Sequence, residues 1–87
     1  MPYVVIVYDM QADRTHLLLN YLRRYLTHVQ NSVFEGELTD GELEAVRDRI
    51  DSTLDPGEST IIYELGSEKL LSRDVFGDDP KEDDRFL

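Results

Sequence analysis

The chain predicts an α+β fold, a single sheet with two helices packed on one of its faces. Two observations carry that expectation. Apolar runs rich in β-branched and aromatic residues alternate with two stretches of helical apolar spacing, and the whole alternation fits within 87 residues. No internal repeat or linker argues for a second domain. A chain of this size buries only about 60–65% of its unfolded surface, so its core is small and a second copy would relieve the shortage.

Tyr3-Val4-Val5-Ile6-Val7-Tyr8 opens the chain as a strand covered on both faces, and it stops abruptly at Asp9. From Asp13, a plausible N-cap, to about Thr27 the spacing turns helical, with Leu18, Leu22, Tyr25 and Leu26 on one side and His16, Asn20, Arg23 and Thr27 on the other. Val29 to Leu38 reads as extended again, with Gly36 marking a bulge or a break into two short strands. Thr39 and Glu42 then form a capping box, with Leu38 placed to staple onto Leu43. The helix they open carries Leu43, Val46, Ile50 and Leu54 on one face and ends before the turn Asp55-Pro56-Gly57. Thr60 to Leu65 is a further strand, and Leu70 to Phe76 a weaker one at an edge. That order is the ferredoxin-like βαββαβ sandwich with an extra C-terminal strand, one domain over residues 1–76. Residues 77–87 form an acidic tail expected to be flexible. Its closing Phe86-Leu87 pair has a form suited to docking on a partner, against a plain solubilising end.

Nineteen acidic side chains face nine basic ones, for a net charge of −10. Such a balance argues against binding nucleic acid, because phosphate contacts need Lys and Arg. The distribution weakens the objection: residues 1–34 carry a net +1, and residues 35–87 carry −11. Only two of the bases are Lys, and Asp outnumbers Glu by 11 to 8. That bias fits a protein kept soluble at high salt, or an ordinary acidic surface. Without cysteine there is no disulfide framework, thiolate metal site or Cys nucleophile. No apolar run is long enough to span a membrane and no signal pattern opens the chain, so a soluble, cytoplasmic protein is expected. Gly-rich phosphate loops, a Ser elbow, HExxH and Cys/His zinc spacings are also missing from the sequence.

Asp9 stands out chemically. It ends what should be a central strand, where open sheets place ligand contacts, and its carboxylate must reach water, a cation or a hydrogen-bond donor. Read from position alone, it is either a solvated strand terminus or a ligand. One Asp is a thin site for Mg²⁺, which wants about six oxygens, but two copies facing each other across a two-fold axis would need a cation or shared proton between them. Arg14, Arg23 and Arg24, with His16 and His28, are the basic material of the first half. They could grip phosphates, or simply complement a helix dipole and a solvated face.

Val7-Tyr8-Asp9 with Asp13-Arg14, together with Val29-Gln30-Asn31-Ser32-Val33-Phe34-Glu35-Gly36-Glu37-Leu38, resemble the CRISPR-associated protein family Cas-two over residues 1–76. The resemblance implies a homodimer in which the extra strand often joins the partner's sheet. It implies that Asp9 is the catalytic, metal-binding residue, with one Mg²⁺ shared between the two copies. It implies a Mg²⁺-dependent endonuclease acting on single-stranded RNA or double-stranded DNA. Tyr8, Arg14, Ser32 and Phe34 fall on the family's motifs around the nucleic acid, and His28 stands where relatives commonly carry Arg, which makes a phosphate contact there pH-dependent. The implied partners are nucleic acid, the protospacer duplex included, and the Cas-one integrase subunit of CRISPR spacer acquisition. A non-catalytic scaffold bridging Cas-one and DNA is the alternative, and an RNA-cleaving toxin of the same fold a second one.

Overall fold

In the computed structural model the described residues are 1–71. β1 (Tyr3–Asp9), β2 (Thr27–Gln30), β3 (Val33–Glu37) and β4 (Ser59–Leu65) form one sheet in the order β2-β3-β1-β4, antiparallel at every pairing. α1 (Thr15–Leu22) carries the chain from β1 across to the edge strand β2, and α2 (Asp40–Thr53) carries it from β3 to the opposite edge. This is the ferredoxin-like plan. The β-branched run 4–7 becomes the inner strand, where its neighbours on both sides satisfy its backbone.

Alternation along β1 sorts its side chains between two environments. Val4, Ile6 and Tyr8 are buried with Leu18, Tyr21 and Leu22 of α1 and Leu43, Val46 and Ile50 of α2. Val5 and Val7 point to the helix-free face, both half-buried. There Val7 pairs with Val33 and Ile61, and Val5 with Tyr63. Ile61 and Tyr63 are 51% and 54% exposed, so this face is apolar and open. The expectation of a strand covered on both faces therefore holds on the helix side alone, because both crossovers lie on that side. Tyr3 and Glu35 are buried on the open face, where the Tyr3 hydroxyl donates to Glu35 Oε2 at 2.5 Å.

The capping box is formed as expected: Thr39 Oγ1 accepts from the Glu42 amide at 3.0 Å, and Glu42 Oε1 accepts from the Thr39 amide at 2.8 Å. Leu38 and Leu43 are both buried beside it. The first helix is shorter than its spacing predicts. Asp13 lies in a turn closed by the Arg14 amide on the Gln11 carbonyl, Arg14 takes the N-cap position, and the helix ends at Leu22. Leu26 still reaches the core because its amide bonds back to the Leu22 carbonyl before the chain enters β2. The break in the 29–38 stretch falls at Asn31-Ser32, where Asn31 adopts φ +31°, and the strand irregularity lies between His28 and Gln30. Gly36 does not break β3: a Cβ there would meet Leu26 Cδ2 at 3.0 Å, so the glycine makes room for the core. Glu68–Leu70 is a short 3₁₀ turn. The rest of the expected edge strand, and the tail 77–87, lie outside the described residues. No described helix is long and apolar enough to cross a membrane.

Candidate nucleic-acid site at the end of the first strand

Asp9 is the last residue of β1, exposed, and its backbone pairs with Ser59 at the start of β4. Alternation puts it on the same face as Val5 and Val7, at one end of the open apolar surface. Tyr8 points the other way, into the core, and its amide donates to the Ser32 carbonyl at 3.1 Å. That bond ties the β2–β3 hairpin tip to the strand end beside Asp9.

A row of rings crosses the sheet behind the tip. Tyr8 stacks on Phe34 with centroids 6.2 Å apart, and Phe34 stacks on His28 at 4.7 Å. Phe34 has no exposed surface and Tyr8 has 3%, so these two support the tip from within and do not offer faces to a base. Burial pushes the Tyr8 hydroxyl above the usual tyrosine range, with the charge of Arg23 opposing, so it stays protonated near neutrality. His28 is half-buried, with Nε2 2.6 Å from the Asn31 carbonyl oxygen. A carbonyl only accepts, so Nε2 carries the proton and Nδ1 of the neutral ring is left as an acceptor. Sequence-expected residues Tyr8, His28, Ser32 and Phe34 thus meet in one structure, with His28 and Ser32 nearest solvent.

Arg14 is placed differently. Its Nε donates to Glu58 Oε2 at 3.0 Å, and its Nη2 donates to Glu58 Oε1 at 3.2 Å and to the Thr53 carbonyl at 2.6 Å. Asp55 Oδ2 adds an ion pair at 3.3 Å. The guanidinium therefore clasps the α2–β4 connection. Glu58 is the residue that sequence reasoning missed: it follows a Pro-Gly turn and carries no motif, and its partner Arg14 is 44 positions away. Its hydrogen bonds, first those from Arg14 and then those from the Asp55 and Gln11 amides, hold its pKa down at about 2 from an ordinary 4.5.

For a metal, the donor set of one chain is a single exposed carboxylate, since among the described residues no three His, Asp or Glu side chains gather into a cation site. A lone exposed Asp is a sparse ligand set for Mg²⁺, which takes about six oxygens and commonly only one or two of them from protein carboxylates.

Residues 1–73 match the family model described as CRISPR associated protein Cas2. The chain belongs to the Cas2 family. A relative from Haloferax volcanii, named CRISPR-associated endoribonuclease Cas2, is 40% identical over 83 residues, covering 95% of this chain and 96% of its own length. A Methanocaldococcus jannaschii protein of the same name is 42% identical over 76 residues, 86% of this chain and 67% of that one. Among solved structures, a Cas2 crystal structure superposes with a TM-score of 0.82 at 35% identity, covering 90% of this chain and 88% of the other. The fold assigned from the order of elements is thus the fold of a Cas2 structure.

Proposed function

We propose that the chain acts as a homodimeric, Mg²⁺-dependent endonuclease of CRISPR adaptation, hydrolysing phosphodiester bonds of RNA or duplex DNA at a site built from Asp9 of both copies. The carrying observation is the position of Asp9, the polar end of a helix-free apolar sheet face. Closing two such faces on each other covers Val5, Val7, Val33, Ile61 and Tyr63 and brings the two β1 ends to one assembly. The relatives' shared name favours RNA among the substrates.

In this reading the two Asp9 carboxylates hold the cation, which supplies charge stabilisation at the phosphate and a lowered pKa for an attacking water. His28 and Ser32, at the hairpin tip, bind the substrate backbone. Tyr8 and Phe34 support the tip from within. Cleavage of single-stranded RNA and of duplex DNA by the full chain in Mg²⁺ tests the proposal. Asp9→Ala should lose cleavage by about a hundredfold or more while keeping its dimer, and an unchanged rate in a clean preparation would remove Asp9 from the chemistry.

One observation favours a second reading, that of a scaffold joining the Cas-one integrase subunit to protospacer DNA. Arg14, expected from the resemblance to bind nucleic acid, is engaged within the protein. Spacer integration by a reconstituted complex separates the two: full integration with Asp9→Ala supports the scaffold, and lost integration with intact assembly supports the nuclease.

A further inference from the structure

Asp9 has little to hold it. Its Cα pairing with Ser59 is the last rung between β1 and β4, and its side chain is exposed. Beyond that rung the chains part, one into the turn before α1 and the other back into the α2–β4 connection. Terminal rungs of this kind fray readily.

One bond continues the ladder. The Gln11 amide donates to Glu58 Oε2 at 3.1 Å, so a side chain stands in for the missing backbone rung. The same carboxylate accepts from the Asp55 amide at 2.8 Å and twice from Arg14. Arg14 in turn grips the Thr53 carbonyl at the end of α2. Glu58 is 2% exposed at its side chain, and Arg14 is 24%. Between Asp9 and Gln11, Met10 is buried in the core. The corner carrying Asp9 is thereby pinned on both sides, by Met10 packing below and by Glu58 at the rim. Charge-assisted, bidentate contacts fix geometry more firmly than a neutral rung would.

We propose that Glu58, clasped by Arg14, is a positioning residue for Asp9, setting the corner from which that carboxylate acts. The proposal rests on the reading of Asp9 as the reacting group. It also gives Arg14 a structural role, in which the guanidinium charge orders the corner and is not spent on substrate phosphate.

The experiment compares wild type, Glu58→Gln, Arg14→Ala, Arg14→Lys, the Glu58→Gln/Arg14→Ala double variant and Asp9→Ala, all as full chains. The readouts are kcat and KM for RNA cleavage in Mg²⁺, and amide exchange at Gln11 with Ile6 as the internal control for an intact fold. Expected are about tenfold losses of kcat in Glu58→Gln and Arg14→Ala, KM changed less than about twofold, and a double variant no worse than the worse single one. Arg14→Lys, which keeps a cation for Glu58, should recover much of the lost kcat. Gln11 exchange should accelerate about tenfold or more in Glu58→Gln while Ile6 does not change. A raised KM in Arg14→Ala beside an unaffected Glu58→Gln would overturn the proposal, because Arg14 would then act on substrate. Unchanged Gln11 exchange would overturn it without reference to activity. Cleavage that survives Asp9→Ala would overturn the reading of Asp9 instead, whereas a dead Asp9→Ala beside a fully active Glu58→Gln would sink the positioning proposal alone.

Discussion

The Glu58 carboxylate makes a prediction about acid as well as about geometry. Its pKa in the fold is about 2, against an ordinary value of 4.5. Above the ordinary value the group is ionised whether or not the chain is folded, and the bonds to Arg14, Asp55 and Gln11 contribute fully. As pH falls from 4.5 toward 2, the unfolded chain takes up a proton that the folded one still refuses, so unfolding gains ground. Below that window the contribution is gone. Arg14 stays charged throughout, its pKa raised first by the bond to Glu58. Many other carboxylates titrate nearby, so the informative quantity is a difference. Thermal unfolding followed between pH 4.5 and 2 should show Glu58→Gln losing less stability with acid than wild type does, by up to about one proton's worth of slope. Parallel curves would mean that Glu58 is not ion-paired in solution.

Among the elements, α2 is the one whose start was written locally. Thr39 and Glu42 satisfy two amides that the first turn would otherwise leave open, and Asp40 and Glu42 sit where the helix dipole favours negative charge. Thr39→Ala should cost about 1 kcal/mol, read as a lower urea midpoint at unchanged m-value. A midpoint equal to wild type would show the box to be dispensable. The strands and α2 were legible because their signals lie within a few residues of each other. The length of α1 was not, since Tyr25 and Leu26 keep helical spacing while β2 draws the chain away one residue later. In the site, Asp9 was visible as a charge ending an apolar run, and the motif around Ser32 and Phe34 pointed to the hairpin. What stayed hidden depends on contacts made across the fold. The burial of Tyr8 and Phe34, and the capture of Arg14 by Glu58, arise only when β1, the hairpin and the α2–β4 connection come together.

At the scale of the whole molecule, two opposite demands meet. Each chain carries −10, so two chains brought face to face repel, yet the helix-free face leaves Ile61 and Tyr63 half uncovered on its edge strand β4. Salt acts differently on these terms. Screening shortens from about 10 Å at 0.1 M to about 3 Å at 1 M, which removes repulsion between the chains and leaves apolar burial intact. Added KCl should therefore tighten the proposed dimer and raise the unfolding temperature. RNA binding should respond in the other direction, because every phosphate contact releases counterions, though shallowly for a chain with nine bases, of which Arg14 is already engaged. Sedimentation from 0.1 to about 2 M KCl, with RNA affinity measured over the same range, puts both slopes on one axis. Ile61→Glu supplies the control: a charge on that face should hold the protein monomeric at every salt concentration. A monomer throughout the range for wild type would remove the second Asp9, and with it the shared cation, from the proposed site. Opposed slopes would mean that the acidic surface governs when two chains meet, while a few placed side chains govern what they bind.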